Sequence, residues 1–396
     1  MNFNFRKILI IGIIILGILI LVLGSFALFR SPKNSISLEE NEVLNNNQIN
    51  GQELSTTTQE NDLNQSIEQN IQEIQRGSRV NQLSERAVMG ICLNKPSDRI
   101  VYYDKETGQV FRTDFSGKIW ERISDAETRE ISKITWSLSR DKVIIEQGSK
   151  KYVYDYESNE KHELDSHIKN IVFSPSGDHI LYHYWDLSTE SNIAVANYDG
   201  SNWKSIIPSE MTGLEIAWPR QDTVSFLTPE GSFYGNTLYF TKLQPPYDLE
   251  EIMDDKFGLK VNWSPSGNKL LYSYRYEKDD KDSELYLRDF ENETEINLGL
   301  NTLPENCMWL KNEKALYCAE KANNFLNIIP EDYQKKLNLT GDSFWKIDLE
   351  TKEFKEIYIP EASEQVYDAG ELIVSDREDF LFFVNNLDGK LYSLSL

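Results

Sequence analysis

Apolar and polar positions follow three different rhythms along the chain. Residues 8 to 29, ILIIGIIILGILILVLGSFALF, are apolar throughout and carry no charge. A run of about 20 such residues crosses a bilayer core as a helix, and each central Ile, Leu, Val or Phe favours insertion by about 0.3–0.6 kcal/mol. The run therefore predicts a transmembrane segment behind a stub of residues 1–7. It exceeds the apolar region of a cleavable signal, about 7–15 residues. A retained signal anchor is expected, with a cleaved signal as the alternative because Ser25-Phe26-Ala27 is a passable small-residue site. Arg6, Lys7 and the terminal amine precede the run and Arg30 and Lys33 follow it, a slight bias toward a cytoplasmic N-terminus. The large C-terminal part is then expected outside the cytoplasm, at the cell surface or in the periplasm.

In residues 30–78 the apolar rhythm disappears. From Ser31 onward the segment is rich in Asn, Gln, Glu, Ser and Thr, with no aromatic residue and two basic against eight acidic side chains. Such a composition cannot bury enough apolar surface to offset its ordering entropy, and it predicts a flexible tether with a root-mean-square span of roughly 35–40 Å. Leu63, Ile67, Ile71 and Ile74 would form one stripe on a short helix over 62–76. A helix of that length is marginal alone; a transient helix and a self-association helix are both compatible with the stripe.

Beyond residue 78 the rhythm is that of short strands separated by turns, and it repeats. FSPSGDHILY at 173–182 returns as WSPSGNKLLY at 263–272. An apolar anchor, a turn and an aliphatic residue seven positions on recur at Leu93, Trp136, Phe173, Trp263, Trp309 and Val374, and Trp218 opens a copy one residue shorter. The anchors are spaced by 43, 37, 45, 45 and 46 residues, with a last gap of 65. In the fifth unit, LKVNW, NKLLYSYRY, SELYLRDF and TEINLGL read as four strands, because apolar residues alternate and Tyr and Val are frequent. Pro presets the backbone for the second turn position and Gly supplies the positive φ that closes it.

Four antiparallel strands every 40–45 residues are the unit of a β-propeller. The expected fold is all-β: a seven-bladed propeller over 79–396 made of four-stranded antiparallel blades, with six blades as the alternative. The chain ends at Leu396 before the seventh unit has an outer strand, so SRVNQLSE at 78–85 is expected to supply it. The aromatic-Ser-Pro-Ser-Gly-x-x-aliphatic-aliphatic-Tyr motif resembles the WD-like repeat of TolB-type β-propellers, although Ser176 and Ser266 stand where that repeat usually has Asp. Two units match well and the others match in spacing. The resemblance implies a module that docks proteins, peptides or glycans and implies no reaction.

Composition narrows the chemistry. A net charge of −23 disfavours nucleic acid, which requires a basic face. No Gly-x-Ser-x-Gly occurs, so the nucleophile elbow of an α/β-hydrolase is missing. HELDSH at 162–167 places its second His one residue too late for the zinc motif. His179 and His183 share a strand face about 13 Å apart, too far for one zinc. Asp280, Asp282 and Glu284 alternate like calcium ligands, but the loop lacks the Gly and Glu that complete that site. No catalytic, cofactor or metal residue is assigned, and a non-catalytic, monomeric binding or scaffold module is expected. A hydrolase or lyase with its site in the central channel is the rival.

Two features point to particular residues. Cys307 and Cys318 flank KNEK symmetrically and face each other in a tight hairpin, as a disulfide or as two buried thiols; Cys92 is then a free thiol buried in a first strand. The insert over 322–342 breaks the repeat, and its Phe325, Leu326, Ile328, Ile329 and Tyr333 form an apolar group. Insertions in repeat proteins often map to the binding face, so these residues are a candidate partner surface, the alternative being that they pack on their own blade.

Overall fold

The computed structural model describes residues 79–396 apart from 125–128, 187, 189, 232–233, 281–282, 322–329, 331–340 and 361–364. The predicted membrane segment, the tether and the 62–76 stripe lie outside the described residues. Among the described residues, no helix is long and apolar enough to cross a membrane.

Short strands dominate, as the alternation predicts. Among the described residues they form six antiparallel sheets, five of four strands and one of seven. Val88–Leu93, Ile100–Asp104, Val110–Thr113 and Trp120–Arg122 make the first. The seven-residue spacing of the anchors is the strand register itself. Leu93 lies opposite Ile100, Trp136 opposite Val143, Phe173 opposite Ile180, Trp263 opposite Leu270, Trp309 opposite Leu316 and Val374 opposite Leu381. In the shortened copy Arg220 pairs with Thr223. Gly177 and Gly267 sit at φ 75° and 72° in the Ser-Pro-Ser-Gly turns, a conformation that side chains with a Cβ rarely adopt.

The seven-stranded sheet contains the main departure from the sequence expectation. Leu249–Trp263 is one continuous strand of 15 residues. Its first half pairs with Asn236–Lys242 and its second with Lys269–Arg275, so it ends one group of four strands and begins the next. No turn-forming cluster interrupts it. The change of partner falls instead where Asp255 and Gly258 adopt positive φ and the register shifts.

Successive sheets stack face to face because strand residues alternate between two buried faces. Ile144 and Val153 pack with Ile171 and Ile180 of the following sheet, whereas Val143 and Ile145 pack with Val101 and Tyr103 of the preceding one. The last sheet closes on the first: Phe382, Val384 and Leu391 share a cluster with Leu93, Ile100 and Tyr102. The missing outer strand comes from the start of the domain, where Val80–Gln82 pairs antiparallel with Leu391–Ser395. The first strands of the sheets lie beside one another on the inside, Val88–Leu93 touching both Ile131–Trp136 and Ala369–Val374.

Candidate binding face and inner-strand ring

Each sheet has two ends, one where its inner strand begins and one where it finishes. The second end carries the short repeated turns. The first carries most of the buried charge, and the 322–342 insert opens there, between Ala315–Lys321 and Asp342–Asp348.

Lys321 is 3% exposed, and Asp342 and Asp368 are fully buried. Lys321 Nζ donates to Asp342 Oδ2 at 2.9 Å and to Asp368 Oδ1 at 3.3 Å. Asp342 Oδ2 also accepts from Ala369 N at 2.7 Å, and Asp368 Oδ1 from Asn386 Nδ2 at 2.8 Å. Burying an ion costs several kcal/mol, repaid only by close partners and further hydrogen bonds. Burial pushes the Asp342 carboxyl up, Lys321 pulls it down and Asp368 pushes it up again, leaving it at about 6.

A second buried cation stands at the same end of the neighbouring sheet. Arg275, 1% exposed, donates through Nη2 to Glu230 Oε2 at 3.1 Å, and that oxygen accepts from Gly258 N at 2.6 Å. Gly258 is held open for this approach: a Cβ there would lie 2.8 Å from Pro330 Cδ and 3.2 Å from Arg275 Cζ. Pro330 belongs to the insert and is buried. The insert therefore reaches beyond its own sheet at this point, to the strand that begins the preceding one. Phe325, Leu326, Ile328, Ile329 and Tyr333 lie outside the described residues.

Beside Arg275 a ladder of tyrosines leads to the surface. Tyr272 stacks on Tyr286 with ring centroids 5.3 Å apart, Tyr274 lies 5.5 Å from Tyr286, and Tyr276, 80% exposed, lies 6.1 Å from Tyr274. Lys256 Nζ sits 4.7 Å above the Tyr274 ring. Aromatic side chains, Tyr among them, are enriched at protein interfaces relative to the rest of the surface.

Inside the ring, the third residue before each anchor is Gly90, Lys133, Asn170, Glu215, Lys260, Asn306 or Glu371; all lie in inner strands except Asn306, which ends the short 3-10 turn before Cys307–Trp309. Six of the seven are polar, a regularity visible in the sequence once the anchors are aligned. Several reach across to neighbouring elements. Lys260 Nζ meets Glu215 Oε1 at 2.6 Å, Glu371 Oε2 accepts from Ile91 N at 3.1 Å, and Asn170 Nδ2 donates to Leu214 O. Burial within the ring of strands raises the Glu371 pKa, although hydrogen bonds from Ile91 and Gly90 oppose it. The arrangement ties inner strands together. Among the described residues no group of His, Cys, Asp and Glu could hold a metal ion.

The remaining residues singled out in the sequence fall into the scaffold. Cys307 and Cys318 lie directly opposite one another, buried and joined by a disulfide with Cα atoms 4.1 Å apart. A two-residue turn would have made them a wide, hydrogen-bonded pair. The loop instead spans residues 311–314, closed by Leu310 N donating to Ala315 O at 3.0 Å, and this shifts the alternation so that the cysteines become the narrow kind of pair. Cys92 is free and buried, its thiol pushed up to about 11 by burial. His183 is buried with Nε2 3.1 Å from Ser209 O, and His179 lies beside Asp178 at 3.0 Å.

No family model matches the chain, and no curated protein matches it. Solved structures do. The chain is similar to an oligogalacturonate lyase from Vibrio parahaemolyticus, at 10% identity and a TM-score of 0.58, covering 80% of this chain and 93% of that one. It is similar to the β-propeller domain of Cps50 (Swd1) from Myceliophteria thermophila, at 11% identity and a TM-score of 0.52, covering 80% and 99%. A looser likeness is to TolB from Acinetobacter baumannii, at 12% identity and a TM-score of 0.44, covering 69% and 63%. At such identities a likeness speaks for fold alone. The β-propeller expected from the repeat is the fold of this chain.

Proposed function

We propose that this β-propeller is a non-catalytic binding module, held at a membrane by residues 8–29, spaced from it by residues 30–78 and presented outside the cytoplasm. Its ligand is a protein or peptide that docks on the end where the inner strands begin. One observation carries this reading: buried ion clusters, the tyrosine ladder and Pro330 of the insert all gather at that end. Seven blades is the count this reading adopts, with Leu249–Trp263 shared between the fourth and fifth. It is supported by the two pairings of that strand and by an apolar cluster that packs the two halves of the seven-stranded sheet on each other, as the other clusters pack successive sheets.

The rival is an enzyme acting in the channel, and Glu371, with its raised pKa, is the residue that favours it. The pairing of Lys260 with Glu215 and the anchoring of Glu371 on Ile91 N support a structural role for the ring instead.

The test is proximity crosslinking of the full-length protein in its native membrane, beside a variant lacking residues 323–341 and a Tyr276→Ala variant. The expected result is one protein enriched with the intact chain and lost with both variants. Enrichment unchanged by either variant would move the binding surface elsewhere, and no enriched protein at all would favour the channel enzyme. Protease accessibility of residues 79–396 in sealed cells tests the topology independently.

A further inference from the structure

A cleft lies at the outer margin between the first and last sheets and shares no residue with the proposed protein-binding face. The segment leading out of Val80–Gln82 passes over the outer half of the first sheet and leaves a cleft of about 670 Å³. Its floor and wall are three aromatic rings in a graded series. Tyr102 is buried, Phe111 is half-buried and stacks on it at 5.8 Å, and Trp120, 65% exposed, meets Phe111 at 6.0 Å. The series follows from register. Tyr102 pairs with Phe111 and Phe111 with Arg122, and Trp120 stands two residues before Arg122, on the same face of the sheet. Gln109, Arg122 and Glu85 bring planar polar groups to the same cleft.

We propose that this cleft binds a short oligosaccharide, with a pyranose ring laid against Trp120. The volume falls within the range of small-ligand pockets, about 300–1,000 Å³, and a concave cleft of this kind does not suit a flat protein surface. Nucleic acid is disfavoured by the net charge of −23. A purely apolar ligand would cover the Gln109 amide and the Glu85 carboxylate without offering either a hydrogen bond, which costs free energy. A sugar satisfies both halves of the lining: its C–H faces match an aromatic plate, and its hydroxyls both donate and accept. An indole kept largely in water at the mouth of the cleft has little packing role of its own, and it fits a platform that is covered when the ligand arrives.

The test titrates the purified full-length protein in detergent micelles with cellotetraose, maltotetraose, xylotetraose and chitotetraose, read by calorimetry and by saturation-transfer NMR. The expected result is saturable binding of at least one probe, weakened about tenfold or more by Trp120→Ala and largely retained in Trp120→Phe. Tyr276→Ala should leave it unchanged, which separates this site from the proposed protein-binding face. Because Trp120 is mostly exposed, the variants should fold, and circular dichroism verifies that they do. The inference is overturned if no probe binds at concentrations up to about 10 mM, or if a probe binds Trp120→Ala as tightly as the unaltered chain.

Discussion

At the end where the inner strands finish, the Ser-Pro-Ser-Gly turn at 174–177 is followed by Asp178, whose Oδ1 accepts from Ser174 Oγ at 3.1 Å and also from Ser176 Oγ. The carboxylate stays partly in water. Partial burial pushes its pKa up, but Ser176, His179 and Ser174 hold it down at about 2. At the opposite end Asp342 is taken out of water completely, beside a second carboxylate and one ammonium, and its pKa rises to about 6. The first arrangement is a repeated, local solution to closing a turn: Ser137 and Ser139 bind Asp141, and Ser375 binds Asp379, in the same way. The second draws on two strands and on the residue that precedes a third, and is costly to build. Charge buried at one end of an otherwise regular ring marks the end where regularity was given up, and this is why the proposed binding face lies at that end.

The largest expected effect is at the costly end. Lys321→Met removes the cation and leaves Asp342 and Asp368 facing each other in the core. Breaking a buried pair by deleting one partner costs about 3–5 kcal/mol, so chemical denaturation should show a loss of that order. A loss below about 1 kcal/mol, typical of exposed pairs, would mean that the cluster is solvated and that the two ends do not differ as described.

Acid should move the two ends in opposite directions. Asp342 has a folded pKa of about 6 against an ordinary 3.8, so between those values the folded state binds the extra proton. Its contribution is most favourable at low pH and is lost as pH rises through about 6. Asp178 has a folded pKa of about 2, so its contribution is present above the ordinary value and is lost as pH falls toward 2. Stability measured from pH 3 to 7 should therefore separate two variants. Relative to the unaltered chain, Asp342→Asn should gain between pH 4 and 6, by up to about 3 kcal/mol, whereas Asp178→Asn should be weaker above pH 5 and converge with it in strong acid. Parallel curves for the two variants would remove the contrast.

What the sequence made legible is what repeats. The anchors gave register, turn type and the closing strand, because a two-residue side-chain period and a seven-residue hairpin spacing leave little freedom. The polar residues three positions before the anchors lie in the same alignment, but their part in tying strands together shows only in the contacts of Lys260, Asn170 and Glu371. The buried ion cluster was not. Lys321, Asp342 and Asp368 stand next to polar or loop-like stretches such as KANN and YDAG, where charge normally means solvent. Only the convergence of three strands' ends buries them. Nor was the continuity of Leu249–Trp263 legible, since Asp and Gly at 255 and 258 read as a break, whereas both take positive φ within one continuous strand.

The smallest effect tests whether the repeated turns are truly local. WSPSGNKLLY carries Asn268 where FSPSGDHILY has Asp178, so the Ser266 hydroxyl has no carboxylate two residues on. It turns outward instead. Ser266 Oγ donates to Glu313 Oε2 at 3.0 Å and its N–H donates to the same carboxylate, which belongs to the turn of the next sheet. Lys269 Nζ lies 3.5 Å from Glu313 Oε2, and Arg220 Nε of the preceding turn donates to Gly267 O at 3.0 Å. One substitution thus converts a self-contained turn into a clasp between neighbouring sheets. A double-mutant cycle on Ser266→Ala and Glu313→Ala should give a coupling of about 0.5–1.5 kcal/mol, the usual net worth of a hydrogen bond. Ser176→Ala combined with the same Glu313 change should give none. Restoring the carboxylate by Asn268→Asp should draw Ser266 back into its own turn and weaken the first coupling, because two acceptors then compete for one hydroxyl.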